Sequence, residues 1–566
     1  MNICGFTMTF ATDGIHGLYA AMACLMWFVS LAFSLEYMHH YKHKAQYYAF
    51  MLATFAATCG VFLSADLMTT FVFFEVMSIT SYILVIHDES PGAMRAGDTY
   101  LAVAVIGGMV MLMGLFLLYS MAGTLAIEEL REALVPWQGS GRLYAACLCM
   151  LFGFGAKAGM FPLHIWLPKA HPVAPAPASA LLSGILTKAG IYGAIIICCI
   201  MLSGDHLWAG FMLVIGAVTM FLGAFLALLS QNLKKTLACS SVSQIGFITV
   251  GIGMACIMAD NEGMAFHGLV LHMVNHSLIK LLLFSVAGVV YMNLHKLAIE
   301  DVRGWGRNKP LLGALYLVGA LTIGGIPGTS GYASKTMLHE GIVEYIEELE
   351  HMHEPHLIFQ CLEWIFLLSG ALTVAYMTRL FINLFIRKNR DENIQREYNN
   401  KVRYMNGLST AVIAIPAALL AAMGIGIVII EPHLYTFANL KGGLISIGIG
   451  CLVIAALWYN DLHELKFDLE DRVYRPLIFK VIVPVMGFIA ECIDHAPTYV
   501  ASVCLPRQMA PHEESFSPMG WLKDRNFVKQ WQLARIELLD FANSMSFGLI
   551  MALTGLCIFL IYIIRS

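Results

Sequence analysis

Glu75, Lys157, Lys188, Lys280 and Lys335 are ionisable residues that fall within or beside long apolar runs. An ionisable group at the centre of a bilayer costs at least ~2.5–3.5 kcal/mol on insertion scales. Such a group persists where it faces a wet or protein-lined interior, and there it can carry protons or ions. The plainer reading is snorkelling, in which a long side chain near a helix end reaches the interface. That reading suits Lys42, Arg379 and Lys441. It does not suit Glu75, in TTFVFFEVMSITSYILV, or Lys280, because both have apolar residues well out on either side.

The run MAFHGLVLHMVNHSLIKLLLFSVAGVV places His272, His276 and Lys280 four residues apart. On a helix they stack on one face, a ladder ~12 Å long at the usual rise. Histidine titrates near physiological pH, and desolvation brings lysine toward the same range. A proton can hop along such a ladder at membrane depth. The alternative is that the histidines only hydrogen-bond neighbouring helices. A metal bound by an i,i+4 histidine pair normally wants a third ligand, and no carboxylate lies on this stretch. No metal site is expected, nor any cofactor, because the chain carries no nucleotide or electron-carrier motif.

Two stretches are broken by glycine and proline. GAKAGMFPLHIWLPKAHPVAPAPASALLSGILTKAG carries Lys157 at the end of one apolar helix, Pro162 and Pro168 in the interruption, and Lys188 in the next helix. GGIPGTSGYASKTMLHE carries Pro327, Gly328 and Gly331 ahead of Lys335. Freed backbone groups at membrane depth survive only beside water or protein, and broken helices there build ion sites in transporters. Two breaks, each with a lysine, suggest two related halves.

The elements that must position these residues are spanning helices. The chain has 566 residues, 58% hydrophobic and 13% charged, against roughly 25% charged in soluble domains. Apolar runs near 20 residues long predict spans at 14–37, 47–64, 67–86, 98–121, 144–163, 178–203, 208–229, 237–257, 264–291, 310–346 (interrupted), 357–386, 408–430, 441–459 and 545–564. The expected fold is therefore an all-α polytopic membrane protein of about fourteen transmembrane helices. It divides into a transmembrane region of thirteen spans (1–459), a lateral amphipathic segment and loop on the cytoplasmic side (460–544), and a C-terminal span (545–566).

With the N-terminus outside, inner loops hold sixteen Lys and Arg residues and outer segments four, a strong positive-inside asymmetry. Lys234 and Lys235 are read as part of that topology signal. The net charge of −4 points to no nucleic-acid partner. The opening MNICGFTMTFATDG has no basic n-region, so no cleaved signal peptide is expected. His39, His40 and His43 read as a juxtamembrane polar cluster, and His351, His353 and His356 as loop residues.

Several stretches together resemble one family. FFEVMSITSYILV, GAKAGMFPLHIWLPKAHPVAPAPASALLSGILTKAGIYG, LKKTLACSSVSQIGF, HMVNHSLIKLLLFSVAG and GIPGTSGYASK look like the antiporter-like membrane subunits of respiratory complex I, group 4 membrane-bound hydrogenases and multi-subunit cation/proton antiporters. The run AHPVAPAP is more similar to the hydrogenase and cation-antiporter branches. The resemblance implies that Glu75 pairs with Lys157 and that Lys188 belongs to the connecting helix. It also implies that His272, His276 and Lys280 form the central relay and that Lys335 lies near the exit. It further implies other membrane subunits as partners, protons and possibly sodium as cargo, and the prokaryotic cytoplasmic membrane as location. Longer members carry two further spans ahead of the region that reads TDGIHGLYAA here.

Overall fold

The computed structural model describes residues 2–3, 6–12, 14–259, 263–400 and 404–459. Among these, twelve helices are long and apolar enough to cross a membrane. The thirteenth expected span is two helices, Pro310–Gly324 and Ser330–His351, on either side of a break. All thirteen spans expected before residue 460 are thus present, in a polytopic, all-α membrane protein. The segment 460–544 and the span at 545–564 lie outside the described residues, as does the domain division they imply.

Polar residues just ahead of the spans start them. The side chains of Asp66, Ser90, Ser140, Asp205, Asn232, Thr329 and Asn406 each accept a backbone N–H from the first turn that follows, which satisfies donors the helix itself cannot.

Two matching stitches reveal the repeat that the paired breaks suggested. Ahead of the Leu67–Val85 helix, Leu67 N–H donates to Leu125 O and Ile127 N–H to Ala65 O, both at 3.0 Å. Ahead of the Leu233–Met258 helix, Leu233 N–H donates to Leu297 O and Ile299 N–H to Gln231 O, both at 2.9 Å. In each case a helix start is tied to the loop two spans later, and a broken span follows. Five spans separate the two stitches, 67–85, 91–122, 141–173, 176–201 and 206–229. Five is odd, so the second half runs inverted relative to the first, the arrangement that places an ion path near mid-membrane.

Burial sorts the helices. The Ala176–Met201 and Leu233–Met258 spans are each 94% buried over their apolar windows, and Met264–Leu294 is 78% buried. The helices that carry Lys188, His272, His276 and Lys280 are therefore interior. Phe437–Leu457 is only 11% buried and forms a margin. Close approach inside depends on small residues: a Cβ at Gly223 or Gly246 would meet the backbone of the partner helix, at Ser243 or Met220 respectively.

Three sequence expectations need correction. Pro168 does not interrupt the chain: it sits in the first turn of the Trp166–Val173 helix, where a missing N–H has no intrahelical partner to lose. The break falls just before it, at Gly159 (φ +81°) through Pro162. Gly331 is likewise helical, and its lack of a side chain lets the Ser330–His351 helix press on the Thr322 carbonyl. The second break is centred on Gly325 (φ +71°), Pro327 and Gly328 (φ +89°). Arg379 does not snorkel. It is 5% exposed, and its guanidinium donates to the carbonyls of Leu228 and Ser230 and to Gln231 Oε1. It caps the C-terminal end of the His206–Leu229 helix, where carbonyls lack donors and the helix dipole favours a cation.

Candidate functional site

The first cluster forms where three helices meet. Lys157 lies in the last turn of the Gly141–Ala158 helix and is 4% exposed. Its Nζ donates to Ser78 Oγ at 3.0 Å and to Tyr100 OH at 2.6 Å. Tyr100 OH also meets Ser81 Oγ at 2.5 Å. Trp166 locks this corner: its ring stands edge-on to Tyr100 at 4.9 Å, and its Nε1–H donates to Ala156 O at 2.8 Å. The half-helix after the break thus holds the residues before it.

Glu75 lies one turn before Ser78 on the same helix, with its carboxylate against Gly108. Its Oε1 is buried and has no hydrogen-bond partner. Among the described residues no ion pair joins Glu75 to Lys157. The ammonium is docked on two neutral hydroxyls, one of them on Ser78, one helical turn along from Glu75.

The second cluster surrounds a π-helical turn. Leu182–Leu186 is wound as a π-helix, and Lys188 stands two residues beyond it, in the first turn of the helix that continues from Thr187. Such turns recur at functional sites because they re-aim side chains. Lys188 Nζ donates to His276 Nδ1 and, at 3.4 Å, to Ser183 O. This joins the connecting helix to the histidine ladder.

The ladder itself is present as spaced. His272 bridges Ser334 Oγ at 3.0 Å and Gln244 Oε1 at 3.1 Å. Asn275 Nδ2 donates to Ser330 O at 2.8 Å and Ser334 Oγ at 3.1 Å, which ties the ladder to the second broken span. Lys280 Nζ donates to Leu237 O at 2.9 Å and to Ser240 Oγ. His276 Nε2, Gln244 Nε2 and Asn275 Oδ1 are buried with no protein partner. Buried polar atoms are normally satisfied, so these three leave hydrogen-bonding capacity for water, and the imidazole nitrogen of His276 can also carry a proton.

Lys335 closes the series. Its Nζ donates to Ile323 O at 2.8 Å, at the end of the helix before the break, and lies 4.6 Å from the Phe247 ring centre. It borders a cavity of about 40 Å³ that Thr336, His339, Asn439 and Ser446 also line, room for water. One turn on from Lys335, His339 Nε2 meets Glu363 Oε1 at 3.0 Å, with both side chains partly exposed.

Sequence reasoning singled out the charged members and missed most of their partners. Ser78, Tyr100, Gln244, Asn275, Ser334, His339 and Glu363 were not anticipated. The polar density of SSVSQ on an otherwise apolar span was a usable signal for Gln244. Tyr100 had none. Lys234 was misjudged: it is 1% exposed, and its Nζ donates to Ala174 O at 2.7 Å, so it is an interior residue rather than a loop charge.

The molecule is thus a polytopic helical membrane protein, with an inverted repeat and a file of buried ionisable side chains along its interior. The family model described as NADH:quinone oxidoreductase/Mrp antiporter, TM, matches residues 64–349, half of the chain, and the chain belongs to that family. It is 34% identical to hydrogenase-4 component B of Escherichia coli (strain K12) over 344 residues, 58% of this chain and 50% of that one. The chain therefore spans about half the length of that relative. It is 28% identical to a Na(+)/H(+) antiporter subunit of Alkalihalophilus pseudofirmus (strain ATCC BAA-2126 / JCM 17055 / OF4), over 67% of this chain and 74% of the relative. The fold matches a chain of the Mrp complex from Dietzia sp. DQ12-45-1b with a TM-score of 0.64 at 21% identity, covering 81% of this chain and 87% of that one.

Proposed function

We propose that this chain is a proton-translocating, antiporter-like membrane subunit of a redox-driven complex, hydrogenase-like or complex I-like, in a prokaryotic cytoplasmic membrane. It works beside other membrane subunits, and the energy comes from a redox partner. The observation that carries this reading is the file of buried ionisable groups: Glu75, Lys157, Lys188, His276, His272, Lys280 and Lys335. Lys188 contacts His276 directly, and His272 is hydrogen-bonded to Ser334, the residue before Lys335 on the second half of the broken span.

In this reading Glu75 and Lys157 form the switch. A carboxylate beside an ammonium holds its proton firmly, and neutral hydroxyls hold it less firmly. Lys157 docked on Ser78 and Tyr100 is the releasing state, which feeds Lys188. Return to Glu75 reloads it. Lys188 passes the proton to His276, in the middle of the ladder between Lys280 and His272; from the His272 end it reaches Lys335, which discharges into the cavity beside His339 and Glu363, on the outer side by the charge rule.

A second reading, one component of a stand-alone sodium/proton antiporter, is favoured by the match to the Alkalihalophilus antiporter protein across 74% of that relative. The proteins that co-purify in mild detergent separate the two: redox proteins support the first, and small membrane proteins alone support the second. Lys335→Ala tests translocation itself. Pumping into inverted vesicles should fall while the subunit content stays normal. Normal pumping at normal abundance would refute the role of Lys335.

A further inference from the structure

Lys234 and His171 are buried, chemically capable, and unused by the path above. Lys234 lies in the first turn of the Leu233–Met258 helix, and its ammonium faces the Tyr291 ring at 5.5 Å as well as the Ala174 carbonyl. One turn on, the carbonyl of Leu237 takes the hydrogen bond from Lys280. Lys234 and Lys280 therefore flank the same turn of one helix.

His171 comes from the short Trp166–Val173 helix, three residues before Ala174. It is fully buried, and neither ring nitrogen has a hydrogen-bond partner. Its ring packs 4.9 Å from that of Phe284, one turn beyond Lys280 on the same helix. A buried imidazole with both nitrogens unpaired is costly, which gives this position a reason beyond packing.

Polar aromatic residues continue from Lys234 toward the inner ends of the helices. Tyr291 stacks on Tyr37 at 6.4 Å and meets His295 at 5.7 Å. Tyr37 OH lies 3.4 Å from Tyr41 OH, and the Tyr41 ring is 6.0 Å from His87 in the 87–90 loop. His87 Nε2 is again buried without a partner. By the positive-inside assignment this row opens toward the cytoplasm.

We propose that Lys234 and His171 form a proton-uptake port that loads Lys280 from the cytoplasmic side. The proposal deepens the translocation reading and rests on it. A proton from the inner aqueous phase binds the neutral amine of Lys234. The ammonium passes it to one ring nitrogen of neutral His171. The imidazolium releases a proton from its other nitrogen to the neutral amine of Lys280. Each step moves one proton and no electrons; Lys234 ends as the neutral amine it began as, and His171 ends as its other neutral tautomer, which a ring flip resets before the next proton.

The test uses the complete complex in inverted vesicles, with rates normalised to assembled subunit. Lys234→Arg keeps a cation able to hydrogen-bond Ala174 O but does not give up its proton. It should assemble normally and lose about tenfold or more in translocation, in the range of a lost proton-transfer group. His171→Gln should do the same. The double variant should be no worse than the worse single one, since the two act in series. In both singles the solvent deuterium isotope effect on translocation should rise, because proton uptake becomes limiting; a purely structural defect would not move it. Lys235→Met should pump normally. The port is wrong if Lys234→Arg pumps at the wild-type rate, if Lys235→Met falls as far, or if the isotope effect does not change. Lys280→Met in the same vesicles separates the failures: if it too pumps normally, the relay reading itself fails.

Discussion

Tyr100→Phe is the sharpest perturbation of the switch at Lys157. The substitution removes one oxygen and keeps the ring that packs on Trp166. That oxygen makes the shorter of the two contacts to the Lys157 ammonium, 2.6 Å against 3.0 Å for Ser78. A hydrogen bond to a charged group is worth about 1.5–3 kcal/mol, and each 1.36 kcal/mol is tenfold in rate. The state in which Lys157 is docked on hydroxyls should become about 10- to 160-fold less populated relative to the one paired with Glu75. Proton release passes through the docked state, so translocation should fall by a similar factor. The assay is proton uptake by inverted vesicles, normalised to assembled subunit. Tyr82→Phe is the control, because the Tyr82 hydroxyl is buried without a partner and its removal should leave the rate within about twofold. If Tyr100→Phe pumps like Tyr82→Phe, docking of Lys157 on Tyr100 plays no part in the cycle.

Glu75→Gln and Lys157→Met should each reduce translocation strongly, and the double variant should be little worse than the worse single one, since coupled residues are not additive; losses that simply multiply would show that the two act independently. Arg379→Leu should destabilise the protein by about 2–4 kcal/mol, because it leaves the Leu228 and Ser230 carbonyls buried without their donor; an unchanged melting temperature in detergent would contradict the capping role. In a background without native cysteines, a cysteine at Lys388 should be labelled only from the cytoplasmic side and one at His353 only from outside; the reverse would overturn the orientation.

The sequence was most informative where physics leaves few choices. Apolar length fixes the spans, so all thirteen before residue 460 were legible. Four-residue spacing placed His272, His276 and Lys280 on one face, and they share that face in the fold. Glycine and proline density located both breaks, though not their limits. Pro168 and Gly331 were misplaced because proline is tolerated in a first helical turn and glycine also serves close packing. Two related halves are suggested by the paired breaks, but their inversion is not legible in the sequence, because its clearest mark is a pair of backbone stitches at Leu67 and Leu233, which make no demand on side-chain identity. Lys234 and Arg379 were misread for a common reason. A basic residue at a span end looks the same in sequence whether it snorkels or caps an interior carbonyl, and only tertiary packing decides.

Lys280→Met tests the account most directly. The side chain is fully buried, and its ammonium is held by Leu237 O and Ser240 on the neighbouring helix. Methionine keeps most of the volume and carries no proton. The measurement is proton pumping into inverted vesicles by the complete complex, with the subunit content of the same membranes determined in parallel. The account predicts an assembled complex in which pumping is lost. Pumping at the wild-type rate per assembled subunit would contradict it.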